Sequence, residues 1–198
     1  MGALLDLKLI STTSLIDFFP SPQMRLSFLQ RAEENSPYVH SYPEQNQFNQ
    51  LIRYDFGCGE IRPVYTVHLE EVLPAWRNYL TRNNRIIEDN FETEHLELLS
   101  GQVRYKDITA NKIIFCDGHR SSFHSYFSGL PFAPNKGELL LVEVPGLPPH
   151  HIYKKGMMIV PMATKDQFWI GSTYAWEFDH TDPTNEFRVR TEHWLTET

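Results

Sequence analysis

The residue types best suited to chemistry gather in residues 112–122, KIIFCDGHRSS, where an apolar run ends in Asp117-Gly118-His119. A glycine there has two uses. Asp-Gly is a common turn dipeptide. A missing Cβ also lets a ligand approach backbone at a strand's carboxyl end, the edge where phosphates and dinucleotides sit in open α/β sheets. Metal chemistry has less support. The 9 histidines include no HExxH pair, His119 and His124 share no helical face, and His150-His151 falls in a proline-rich loop. Solvated or core histidines are the simpler reading. Asp179, Asp182 and Glu186 in FDHTDPTNE lack the register and central glycine of an EF-hand loop, and read as acids at the positive end of a helix dipole. There is no G-x-S-x-G elbow, P-loop or G-x-G-x-x-G opening a helix, and Cys116, ending an apolar run, reads as a packing residue.

The elements that would carry these residues follow from periodicity. Residues 1–20 read as a strand or short helix. Ser21-Pro22 is a helix start, with serine as N-cap and proline at the first helical position. The helix puts Met24, Phe28, Leu29 and Ala32 on one side and ends at Asn35-Ser36-Pro37, before a polar loop over 41–50. LIRYDF reads as extended, Gly57-Cys58-Gly59 as a bend and EIRPVYTV as a strand. HLEEVLPAWRNYL carries a helical stripe through Leu69, Val72, Leu73, Trp76, Tyr79 and Leu80. Pro74 within it predicts a kink or a start near Glu70 or Glu71. RIIEDNF, HLELLS, VRYKDI and NKIIFC read as successive strands, followed by ELLLVEV, MMIVPM and QFWIGSTY. A last helix, capped by Thr184, has Phe187, Trp194 and Leu195 on one face. The chain stops inside it, which suggests an excised piece. The sum is an α+β fold: a mixed, mainly antiparallel β-sheet flanked by a few helices.

Composition narrows the class. The 198 residues are 41% hydrophobic and 13% aromatic, as expected of a globular core. A net charge of −7 speaks against nucleic acid or an anionic membrane as partner. No apolar run approaches the roughly 20 residues of a membrane span. The start lacks the basic region and cleavage site of a secretory signal, and Cys58 and Cys116 form no CxxC pair, so a reducing cytoplasm is expected.

Four passages, in order, carry a family resemblance. ANKIIFCDGHRSS resembles the second flavin motif of the D-amino-acid-oxidase-like superfamily of FAD-dependent oxidoreductases. LPFAPNKGELLLVEVPG resembles that family's passage into a substrate-domain strand, MMIVPMATKDQFWIGSTY its paired strands, and DHTDPTNEF its acidic turn before a helix. PVYTVHLEEVLPAWRNYL is similar to the helix that these enzymes place before the strand returning to the flavin domain.

The resemblance implies roles. Cys116, Asp117 and Gly118 would pass the pyrophosphate and ribose of FAD, with His119 toward the flavin and Phe91 beside the adenine. Met158 would line the substrate face and Pro161 would close its strand. Met158 stands where amino-acid oxidases place a substrate-gripping tyrosine, so an amino-acid substrate does not follow. Residues 1–83 and 126–198 would belong to the substrate-binding domain and 84–125 to the edge of the flavin domain. The rest of that domain, in the same polypeptide, would be the partner. The implied activity is oxidation of a C–N or C–O bond of a small molecule by hydride transfer to flavin. The chain alone would be inactive and prone to homodimerise through its uncovered face. No catalytic side chain is identified. Two alternatives remain: a stand-alone, non-catalytic α+β binding module using its 9 tyrosines and 4 tryptophans, and a metal hydrolase.

Overall fold

The structure, a computed structural model, describes residues 1–34, 36–42 and 46–198; Asn35 and residues 43–45 of the polar loop lie outside the described residues. Backbone proximity divides it into two units, Met1–Trp76 with Asn135–Thr198, and Arg77–Pro134. The architecture is the α+β arrangement that the sequence indicates.

The first unit is built on seven strands: β1 (Ile10–Phe18), β2 (Val39–Ser41), β3 (Cys58–Val67), β7 (Leu139–Glu143), β8 (His151–Lys155), β9 (Met157–Pro161) and β10 (Gln167–Gly171). They lie in the order β2-β3-β1-β8-β9-β10-β7. Every pairing is antiparallel except β1 with β8. Strand alternation sends Ile16 and Phe18 of β1 to one face, with Tyr153, Ile159, Phe168 and Ile170 of its neighbours. Leu15 goes to the other face with Ile152 and Val160. Each of these aliphatic and aromatic side chains contributes about 1.5–3 kcal/mol by leaving water. Both faces of β1 are therefore apolar at its centre, which fits a strand in the interior of a sheet.

The first face is closed by Phe48 and Ile52, from the segment before β3, and by the helix α4 (Asn185–Glu197) through Trp194 and Leu195. Thr184 caps α4 as expected, its hydroxyl accepting from the Phe187 N–H at 3.3 Å. Glu186 of the acidic run lies in the first turn of α4 as expected, and a second carboxylate reaches the same helix end from β7's flank. Glu138 accepts from the Thr184 N–H at 2.5 Å and from the Thr184 hydroxyl at 3.1 Å. The buried Lys136 donates to the Asp182 carbonyl at 2.6 Å, fixing the approach to the helix.

The helix α2 (Pro22–Glu33) begins as read, with the Ser21 hydroxyl accepting from the Met24 N–H at 3.3 Å. The bend expected at Gly57-Cys58-Gly59 is instead the start of β3. Gly59 is needed because the Phe28 ring of α2 occupies the space that a Cβ would take. The preceding LIRYDF forms no strand. HIYKK, with His151 read as loop and its other residues assigned to no element, is β8: Tyr153 is fully buried and its hydroxyl donates to the Pro148 carbonyl at 2.8 Å. The missed strand owes its place to neighbours on both sides, which its own composition does not announce.

The helix α3 (Leu69–Arg82) starts at Leu69, with the Val72 N–H donating to the His68 carbonyl at 2.9 Å. Pro74 lies near enough to this end that one interior bond is forgone. Of the stripe, Val72 is buried, while Leu69 and Leu73 are exposed.

The second unit holds a three-stranded antiparallel meander, β4 (Leu96–Leu99), β5 (Gln102–Tyr105) and β6 (Ile108–Ala110). RIIEDNF and NKIIFC, read as strands, form no ladder. Residues 112–117 keep an extended alternation, with Ile113, Phe115 and Asp117 half-buried and Ile114 83% exposed. No strand among the described residues pairs with them, so an apolar run that looks buried in sequence is not. Cys116, read as a packing residue, is exposed for the same reason. Polar ties stabilise the segment over 85–91 in place of a ladder. Arg77 pairs with Glu88 at 2.6 Å, Lys106 with Asp89 at 2.6 Å, and the Tyr105 hydroxyl accepts from the Glu92 N–H at 3.1 Å.

Candidate functional site

The second unit brings three of the expected cofactor residues to one place. A cavity of about 470 Å³ is lined by Phe91, Phe115, Cys116, Asp117, Arg120 and His124, among others. Phe91 is held by stacking on Tyr105, ring centres 4.6 Å apart, and edge-on against Phe115 at 5.6 Å. Asp117 opens the 3₁₀ turn Gly118–Phe123. Its carboxylate accepts from the Ser121 hydroxyl and lies 3.0 Å from His124 Nε2. The Ser121 hydrogen bond, with help from His124, holds this carboxyl below its ordinary range. Ionised Asp117 can only accept, so Nε2 is the nitrogen that donates to it and Nδ1 is left to face elsewhere. That Nδ1 is buried and has no partner among the described residues.

Gly118 adopts φ +61°, a left-handed conformation that glycine reaches without strain, and nothing lies within 4 Å of where its Cβ would be. The glycine thus serves as a turn and also leaves its backbone open to approach. His119 does not line the cavity; its carbonyl accepts from the Ser122 hydroxyl at 2.7 Å.

In the first unit, Met158 sits on β9 on the face of Leu15, Ile152 and Val160. Pro161 ends that strand, opposite Phe168 in register. Pro161, but not Met158, lines a second cavity of about 790 Å³, which also takes in Ser11, Thr12, His68, Glu70 and Trp169. Ser11 Oγ lies 2.8 Å from His68 Nε2, and the Thr66 hydroxyl donates to the Ser11 carbonyl at 3.4 Å. His68 escaped the sequence reading. It follows β3 directly and precedes α3, and only the β1–β3 register, Ser11 opposite Thr66, brings it to Ser11. A histidine at a strand-to-helix junction was the available signal.

Among the described residues, no group of three or more His, Cys, Asp and Glu side chains could hold a metal ion, and no helix is long and apolar enough to cross a membrane.

No protein-family model matches the sequence. The fold is similar to the crystal structure of glycine oxidase from Geobacillus kaustophilus, with a TM-score of 0.69 and 16% sequence identity. The match covers 95% of this chain and 54% of that one, so the chain spans about half the length of the structure it matches. At that identity the likeness is one of fold.

Proposed function

We propose that this chain is the substrate-binding part, with an edge of the flavin-binding part, of a cytoplasmic FAD-dependent oxidoreductase of the D-amino-acid-oxidase-like superfamily. The reaction is oxidation of a C–N or C–O bond in a small molecule. The observation that carries this reading is the fold likeness to a glycine oxidase across 95% of the chain. The four motif-like passages, in family order, support it independently.

The residues at the second unit's cavity are compatible with FAD. Gly118 offers open backbone, Phe91 an aromatic wall and Cys116 part of the lining, while His119 lies within the turn and outside the lining. Asp117, whose charge would repel a pyrophosphate, is turned to Ser121 and His124. Bound flavin would supply the hydride acceptor. The chain's own contributions are the open turn for the cofactor and strand β9, with Met158 and Pro161, for the substrate. The unpaired extended residues 112–117 are suited to join a sheet in the remaining flavin-binding domain of the same polypeptide. Without that domain the chain is expected to hold FAD weakly, to be inactive, and to self-associate through exposed side chains such as Ile114 and Phe123.

The test is anaerobic mixing of the complete polypeptide with small amines, amino acids and alcohols. Bleaching of its flavin absorbance by one of these classes is the expected result. A flavin that none of them reduces would overturn the assigned reaction.

A further inference from the structure

We infer that the cavity beside β1, β3 and β9 binds a cationic amine that bears no carboxylate. As a statement about substrate this rests on the flavoenzyme reading; as a statement about binding it does not.

The chemistry of the lining carries it. Glu70 brings a carboxylate to the cavity, no lysine or arginine lines it, and Glu70 makes no ion pair among the described residues. A ligand carboxylate would enter against Glu70 and meet no permanent cation, since the only basic side chains in the lining are the imidazoles of His68 and His150. An ammonium group has the opposite needs, since it donates hydrogen bonds and accepts none. Acceptors are at hand in Glu70 and in the Ser11–His68 pair, which retains lone pairs whichever partner donates. The remaining wall is apolar: Trp169, Val160, Pro161 and Met162. An indole ring attracts a cation as well as covering carbon, and this wall suits the alkyl part of the ligand. At about 790 Å³ the cavity is in the range that takes a small organic molecule.

The experiment titrates the purified 198-residue chain with n-butylammonium, butyrate or 1-butanol, which share one carbon skeleton. The readout is the NMR signal of the Trp169 indole N–H, assigned with Trp169→Phe. Butylammonium is expected to shift that signal saturably and butyrate to leave it in place. Glu70→Gln should weaken butylammonium roughly threefold to fivefold, as loss of a solvent-accessible ion pair does. The other three indole signals, unchanged, report that the variant is folded. Butyrate or butanol binding as well as butylammonium, or a Glu70→Gln variant that binds the amine undiminished, would overturn the proposal. No shift with butylammonium would do the same.

The two readings fail separately. A colourless complete polypeptide removes the flavoenzyme reading and leaves the titration intact. A coloured one reduced by amino acids alone, with no butylammonium shift, removes the amine site alone.

Discussion

Cys116, Asp117 and Gly118 occupy three consecutive positions and have three different surroundings. Cys116 is exposed at the cavity wall, Asp117 braces the turn that follows, and Gly118 supplies the positive φ. The other cysteine is a useful contrast. Cys58 is buried in the sheet, and burial pushes its thiol up to about 11. Alkylation requires thiolate and access, and Cys58 has little of either at neutral pH. Iodoacetamide at neutral pH, followed by mass spectrometry, should label Cys116 in the folded chain and Cys58 only after denaturation. Equal labelling of both would mean that the β3 end of the sheet opens readily. The brace also explains why an acid is tolerated in this turn: its charge is already engaged by Ser121 and His124.

Among the elements, α4 depends most visibly on one side chain. Burial by itself raises the Glu138 carboxyl, but the Thr184 N–H and hydroxyl, with Lys136 and His180, outweigh it and hold the group below its ordinary value. A folded-state pKa below the unfolded one favours the ionised form in the fold. The stability it contributes is complete above the unfolded glutamate value of about 4.3 and is lost as pH falls through the lower folded value. Glu138→Gln should therefore lower the melting temperature near neutrality, and its deficit should shrink as pH falls below that value. Thermal melts of both proteins across that window check it, and a deficit independent of pH would contradict the assignment.

The same scale shows what could be read from sequence. Ser21 and Thr184 caps are local, set by residues within a turn, and both were legible. HIYKK was not, because the burial of Tyr153 depends on the neighbouring strands β1 and β9 and on Phe48 from far along the chain. NKIIFC misled in the opposite sense: apolar composition records an affinity for burial and does not supply the strand that would provide it. Ser11 and His68 stand 57 residues apart and meet only through sheet register, so the second cavity had no sequence signature.

For the whole molecule, the mixed α+β architecture and the fold likeness are the observations on which the proposed flavoenzyme reading rests. Of the two readings of Asp-Gly-His, the structure shows the turn, with Gly118 at φ +61°, while ligand approach at its open backbone belongs to the proposed function. The most direct test of the central claim is the visible absorption spectrum of the complete polypeptide, purified in folded form from its native source. The account predicts a yellow protein with the two-banded spectrum of oxidised flavin, releasing FAD on denaturation. A folded, complete polypeptide that is colourless, and stays so after incubation with FAD, would contradict it.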